Sequence, residues 1–384
     1  MTLGRGNGKD MKNRVMFVIE SKITLTEAPS SRFIYIAKSL QKKNFKAEVL
    51  GRKGERIEGL KTYQISGSKH VSRLKILLHA YAKTVGYSCD TIIVRGGLLS
   101  FFLSPLKILR KKIILDFHGW LFREIEFFYE KTLYNKLKVA FYYVVERMSI
   151  AHSSAIICVS TGIKDSLGQK EKEKSIVLEN GIDLNESKEA IHEAENEKEK
   201  LYSTHHISKE KPIMGFLGNW ERQLDMETMF KGAKLAEVNM VVIGEGSKLN
   251  EYKKKWNNAR FLGKLPKLDA LKITSLCDAT IAPYKKVYAT TSYWSQRKVK
   301  DYLSLSKPII MANVKEREAY LVPNKNVLFY EPGNAKDLAD KIRTIISNKK
   351  LAEEMRKNNL KLAHQFDWQV LVEKSGLIEK ILKN

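Results

Sequence analysis

Arg14-Val-Met-Phe-Val-Ile19, Pro29-Ser-Ser-Arg-Phe-Ile-Tyr-Ile-Ala-Lys-Ser-Leu40 and Phe45-Lys-Ala-Glu-Val-Leu50 are three pieces of one pattern, and their order decides the fold. The first and last are short apolar runs of the β type. The middle piece places Phe33, Ile36, Ala37 and Leu40 at i, i+3, i+4 and i+7, one face of a helix. Ser30 and Ser31 read as its N-cap. Strand, helix, strand is the seed of a parallel sheet covered by helices.

The seed recurs along the chain. Residues 91–94 read as a strand before Gly96-Gly97, with an apolar helix through Leu109. Residues 112–117 form a strand ending at His118-Gly119, followed by one long aromatic helix over 124–150. Strands at 155–159 and 175–178 follow, the second ending at Asn180-Gly181. Residues 185–211 are mostly Glu, Lys, Asn, Ser and His, and read as a charged linker with one exposed helix. The alternation then restarts. A strand at 212–217 leads to Gly218-Asn219, Met226, Met229, Phe230 and Ala233 mark a helix face, and a strand at 239–243 runs into Gly244-Glu245-Gly246. Strands at 261–262, 279–282, 308–311 and 327–330 complete a second sheet, and helices finish the chain from Asp337.

The expected division is a disordered N-terminus at 1–13, with Met11 a candidate start, then an α/β domain at 14–184. The linker at 185–211 and a second α/β domain at 212–367 follow, with a helix at about 368–384 packing back on the first domain. Both domains are Rossmann-like, and ligands in such sheets bind at the carboxyl ends of the strands. The cleft between two such sheets is the natural site.

Composition limits what the chain does. Its 384 residues are 43% hydrophobic and 29% charged, enough for two cores. No apolar run reaches the roughly 18 residues of a membrane-spanning helix. Cys89, Cys158 and Cys277 are far apart and odd in number, which argues for thiols in a reducing, cytoplasmic setting. The formal charge is +25. Residues 1–150 hold 28 Lys and Arg against 12 Asp and Glu, an excess of 16, so the positive field belongs mainly to the first half. Such a field draws nucleic acid, anionic lipid or phosphorylated substrates alike. No nucleic-acid-binding motif accompanies it. Arg73-Leu-Lys-Ile-Leu-Leu78, 101–112 and 127–143 interleave aromatic and apolar residues with cations. They read either as half core and half solvent or as a peripheral contact with the inner face of an anionic membrane.

The strongest chemical stretch runs from Thr290 to Ile310. Ser292, Tyr293 and Ser295 precede a helix start, where polar groups and open amides form an anion site, and Lys298 adds a charge. Asp301 lies one turn further on, placed to accept hydrogen bonds from a vicinal diol. On spacing alone, Lys298 and Asp301 are equally an ordinary i,i+3 surface pair. His205-His206 lie in the charged stretch and read as solvated.

At this point the sequence resembles a family. Lys298-x-x-Asp301-Tyr302-Leu303 with Lys307-Pro308-Ile309-Ile310 is similar to the K-x-x-E-Y-x-A-x-G-K-P-V-I signature of group 1 retaining glycosyltransferases, family four-like. Gly218, Gly244-Glu245-Gly246, Phe261-Leu262-Gly263, Asp278-Ala279 with Pro283, His118-Gly119, Cys158-Val159-Ser160 and Asn180-Gly181-Ile182-Asp183 resemble further motifs of that family in order. The resemblance implies a GT-B fold, two Rossmann-like domains facing each other across a cleft. It implies transfer from a UDP- or GDP-sugar to a glycan or polyprenyl- or other lipid-linked acceptor, with retention and without a metal or other cofactor.

It also implies roles. Asp301 binds the ribose, Lys298 and the groups around Ser292, Tyr293 and Ser295 hold the diphosphate, and Arg222 supplies a second phosphate charge. Gly218, Asn219 and Gly244 shape the phosphate turns, Phe261 and Leu262 frame the base, and His118 contacts the donor sugar. Ser31 and Arg32 stand where the family has a glycine-rich loop, with Arg32 reaching a phosphate, and Asn180 sits beside the cleft. The chain departs from the pattern at Asp301 for Glu, at Asn219 for the Arg after the first glycine, and at Tyr293 for the Glu eight residues before Asp301. These departures keep a second reading open, a non-catalytic GT-B scaffold serving a partner enzyme.

Overall fold

The computed structural model describes residues 14–86, 89–220, 223–246, 248–286, 297–314 and 319–383. The expected N-terminal disorder at 1–13 falls outside them. The chain divides into two compact units, Met1–Glu179 with Leu371–Asn384, and Asn180–Val370.

Unit 1 is built on β1 (Arg14–Lys22), β2 (Lys46–Arg52), β3 (Lys61–Ile65), β4 (Thr91–Arg95), β5 (Lys112–Phe117), β6 (Ala155–Cys158) and β7 (Ser175–Val177). They form one parallel sheet in the order β3-β2-β1-β4-β5-β6-β7. The order reverses between β1 and β4, which opens a crevice at their carboxyl ends. Helices cover both faces. Phe33 of the helix Ala28–Gln41 packs on Phe17 of β1 at 5.0 Å, and Phe33, Ile36, Ala37 and Leu40 are all fully buried. On the other face, Ile76 and Ala80 of the helix Lys69–Gly86 meet Ile92 and Val94 of β4. The final helix, Leu377–Leu382, belongs to this unit, and Lys112 donates to the Ile381 carbonyl at 2.6 Å.

Unit 2 repeats the plan with β8 (Ile213–Leu217), β9 (Asn239–Ile243), β10 (Ala259–Gly263), β11 (Ala279–Ala282), β12 (Ile309–Ala312) and β13 (Val327–Tyr330). The parallel order is β10-β9-β8-β11-β12-β13, reversing between β8 and β11. Met226, Met229, Phe230 and Ala233 are buried together on the helix Met226–Leu235.

Three local readings are corrected. Residues 185–211 are not a linker. They hold the helices Leu184–Asn196 and Lys198–Thr204, which bury Ala190, Ala194, Leu201 and Tyr202 within unit 2. The charges are structural: Lys272 bonds Glu193 at 2.9 Å, and Lys267 pairs with Glu186. Small alanines on the buried stripe left little hydrophobic signal. The helix expected over 124–150 is two, Leu121–Phe128 and Leu133–His152, because Thr132 caps the second by accepting from the Asn135 amide at 3.2 Å. Ser30 and Ser31 do not cap the first helix. It starts at Ala28 with Pro29 in its first turn, and the Ser30 hydroxyl instead accepts from the Thr24 amide at 2.8 Å.

Candidate functional site

In unit 1 the ends of β5 and the helix Ala28–Gln41 place four charged or titratable groups together. The Asp116 carboxylate is fully buried. Arg32, 1% exposed, donates to it from Nε at 3.2 Å and from Nη2 at 3.0 Å. The remaining guanidinium donors reach the carbonyls of Leu178, at 2.7 Å, and Glu179, at 2.9 Å. On its other oxygen, Asp116 meets His118 Nε2 at 2.7 Å. Burial by itself would raise the Asp116 carboxyl, but Arg32, His118 and Arg95 outweigh it and hold it well below the carboxylate range. Burial, then Arg95, pulls His118 down to about 4 against the upward pull of Asp116, so its imidazole is neutral at pH 7. Asp116 thereby orients the ring, and Nδ1 has no protein hydrogen bond among the described residues. Gly119, at φ 145°, turns the chain sharply after His118, a conformation that favours glycine.

In unit 2 the carboxyl edge is shaped by backbone. Gly218 donates to the Ile243 carbonyl at 2.9 Å, Trp220 to Glu245 at 2.8 Å, and Gly244 to Gly263 at 2.7 Å. The turns after β8, β9 and β10 are thus laced together. Gly218 and Gly244 have φ of 133° and 123°, and a Cβ on Gly244 would stand 2.2 Å from the Gly218 carbonyl oxygen. Only glycine lets these turns approach. Tyr302 fixes the helix Arg297–Ser304 over them: its hydroxyl accepts from the Leu217 amide at 3.0 Å. Lys298 lies beside Gly218, its Nζ 4.9 Å from the Phe216 ring centroid and 5.5 Å from that of Tyr284.

Asp301, one turn on, is 9% exposed, and no group among the described residues hydrogen-bonds its carboxylate. Burial raises its pKa, with Arg297 and Lys267 pulling the other way. The i,i+3 pair with Lys298 is not formed. Glycine turns, a lysine and a buried carboxylate that no described residue hydrogen-bonds are the groups that can suit a phosphate and a diol.

Residues 185–362 match the model of the family described as glycosyl transferases group 1. The match covers most of unit 2. The chain is similar to an uncharacterized glycosyltransferase of Methanocaldococcus jannaschii, 23% identical over 245 residues; the match spans 62% of this chain and 62% of that relative. Among solved structures it is similar to sucrose-phosphate synthase of Thermosynechococcus elongatus, with a TM-score of 0.73, 12% identity, and coverage of 97% of this chain and 99% of the other. It is also similar to the Anabaena protein HepE in complex with UDP-glucose, with a TM-score of 0.69, 14% identity, and coverage of 96% and 100%. The fold is GT-B.

Within the matched segment, the structure gathers Gly218, Asn219, Gly244, Lys298 and Asp301 at the carboxyl edge of one sheet. Asn219 is exposed there. Phe261 and Leu262 lie on β10 with their side chains on opposite faces. Phe261 packs on Trp220 at 5.8 Å and Phe230 at 5.5 Å, and Leu262 joins the cluster of Ile243 and Ile273. Arg222, Ser292, Tyr293 and Ser295 lie outside the described residues. Asn180 is half-buried at the start of unit 2.

In unit 1, Ser31 and Arg32 are corrected. Ser31 is fully buried, and the Arg32 guanidinium is enclosed by Asp116 and two carbonyls, so neither presents to a phosphate. The sequence reading missed Asp116 and Arg95. Their signal was positional: each is polar at the carboxyl end of an otherwise apolar central strand, and Asp116 stands two residues before His118.

Proposed function

We propose that the chain transfers a sugar from a UDP- or GDP-sugar to a glycan or lipid-linked acceptor with retention of anomeric configuration. The carrying observation is the buried Asp301 carboxylate, hydrogen-bonded by no described residue, one turn from Lys298 and above turns that only glycine can form. In this reading the ribose diol donates to Asp301, and the diphosphate lies against the turns of Gly218 and Gly244. Lys298 and Arg222 offset charge growing on the leaving diphosphate as the anomeric carbon becomes oxocarbenium-like. The family resemblance assigns Ser292, Tyr293 and Ser295, outside the described residues, to the same diphosphate. His118 contacts the donor sugar as a neutral imidazole held by Asp116. Binding of UDP-glucose by the structurally similar HepE supports a uridine donor. No metal ion or other cofactor takes part in this reading. The test is release of nucleotide diphosphate from a full panel of nucleotide sugars with lipid-linked and glycan acceptors. Release identifies the donor, and none across the panel would leave the scaffold reading in its place.

A second observation favours work at a cytoplasmic membrane face. Of 21 exposed large hydrophobic residues among those described, 17 lie between Val71 and Met148. All but Tyr129, which ends the helix Leu121–Phe128, stand on that helix, on the helices Lys69–Gly86, Gly97–Leu103 and Leu133–His152 and on the turn Ser104–Leu109, beside Arg73, Lys75, Lys107, Arg110, Lys111, Lys136 and Lys138. Apolar side chains amid cations fit an anionic bilayer surface. No helix among the described residues is long and apolar enough to cross a membrane. Sedimentation with phosphatidylglycerol vesicles, weakened by salt and absent with phosphatidylcholine, is the expected result. Equal binding to both would reject the charge component.

A further inference from the structure

We propose that unit 1 carries a phosphate-binding subsite of its own, formed by Arg95 with Ser21 and His118 at the switch point of its sheet, and that it takes a phosphate group of the acceptor. This rests on the donor grip proposed for unit 2, since a donor diphosphate held there leaves a phosphate site in unit 1 to the other substrate.

Arg95 is the last residue of β4, whose neighbour is β1, where the strand order reverses. Ile92 and Val94 pack toward the helix Lys69–Gly86. Successive side chains alternate along a strand, so Arg95 turns to the opposite face, that of the helix Ala28–Gln41. Asp116 stands beside it in register on β5. That carboxylate is already engaged by Arg32 and His118. Arg95 is half-buried and, among the described residues, forms neither a hydrogen bond nor an ion pair. Burial draws its pKa down to about 10, with Asp116 opposing and Arg32 adding, so it stays charged at neutral pH.

A second orphan lies on the neighbouring strand. The Ser21 hydroxyl, near the carboxyl end of β1, is buried and bonded to nothing among the described residues. With Nε2–H given to Asp116, the neutral His118 ring presents Nδ1 at the end of β5 as an acceptor, fit to receive the P–OH of a protonated phosphate. A half-buried guanidinium fork and an unsatisfied hydroxyl donate to phosphate oxygens, and the imidazole accepts from the phosphate's remaining hydroxyl. A buried hydroxyl without a partner among the described residues is rare in folded chains, and beside a half-buried, unpaired guanidinium on the next strand it points to a ligand. The excess of 16 positive charges in residues 1–150 steers such anions toward this unit.

The test titrates the full chain with inorganic phosphate while NMR follows the His118 imidazole, assigned through His118→Gln. A phosphate beside the ring adds negative charge to the field of Arg32, Arg95 and Asp116. The His118 titration should therefore move up by about one pH unit. Arg95→Gln should raise the phosphate Kd about tenfold, and saturating UDP should leave it within about twofold. A His118 titration indifferent to phosphate, an unchanged Kd in Arg95→Gln, or displacement of phosphate by UDP would each overturn the proposal. The last would assign the site to the donor. UDP affinity measured in the same samples reads unit 2 separately, so loss of the donor grip is not mistaken for loss of this subsite. If Arg95→Gln does not fold by circular dichroism, Ser21→Ala is read in its place, with a Kd raised about threefold expected and an unchanged Kd contradicting.

Discussion

In unit 1 the carboxyl edge of the sheet is held together by charge. A buried guanidinium, a buried carboxylate and a neutral imidazole bond to one another, and the Arg32 fork also reaches the carbonyls of Leu178 and Glu179. In unit 2 the same edge is held by backbone, with glycine turns bonded to each other and Tyr302 donating and accepting across strand ends. Two sheets of one topology thus reach opposite solutions. Unit 1 locks Arg32 and Asp116 together to orient His118, whereas in unit 2 no described residue hydrogen-bonds the Asp301 carboxylate. The comparison teaches that a cation at a phosphate-loop position is informative only with its partners. Arg32 has an internal carboxylate; Lys298 sits over aromatic rings beside a glycine turn.

The largest effect tests the charged edge. Asp116→Ala leaves the Arg32 guanidinium buried without its carboxylate, which costs about 3–5 kcal/mol. Urea unfolding of the full chain reads it, and a loss below about 1 kcal/mol would show that charge does not hold unit 1 together. Arg32→Met with Asp116→Leu sharpens the point, since replacing both partners should cost less than removing the carboxylate alone. Next comes the backbone edge. Gly244→Ala forces a Cβ against the Gly218 carbonyl at φ 123°. A loss above about 1 kcal/mol, with weakened nucleotide binding, is expected, and wild-type behaviour in both assays would contradict the packed-turn account.

The smallest effect is a pH slope. His118 is pulled from 6.5 to about 4 on folding, so the unfolded chain binds its proton first. Stability from this group is complete above pH 6.5 and falls as pH drops toward 4, by at most about 1.4 kcal/mol per unit. His118→Gln should flatten the difference between stabilities measured at pH 7 and pH 5. An unchanged slope would mean that the imidazole is not held neutral.

Much of the fold was legible. Runs such as Ile213–Leu217 and Asn239–Ile243 are apolar and bounded by glycine, and buried parallel strands need that composition. The edge strand Lys61–Ile65 was not read, because its half-exposed residues are polar. The helices at 184–204 were hidden because small Ser187, Ala190 and Ala194 interrupt the larger buried residues of their stripe and their charges pair within the fold. At the site, the glycine turns, Lys298 and Asp301 were legible as a motif. The burial of Arg32 was not, since its partner Asp116 lies 84 positions away. Side-chain pairing across a sheet leaves no local spacing to read.

The central claim is that unit 2 grips a nucleoside diphosphate through the turns of Gly218 and Gly244, Lys298 and the open carboxylate of Asp301. Isothermal titration of UDP and GDP into the full chain and into Asp301→Ala tests it most directly. Losing charge-assisted bonds to the ribose should raise the Kd of the preferred diphosphate roughly 10- to 100-fold, with the fold intact by circular dichroism. Equal affinity in the two proteins, or no binding of either nucleotide to the wild type, would contradict the account.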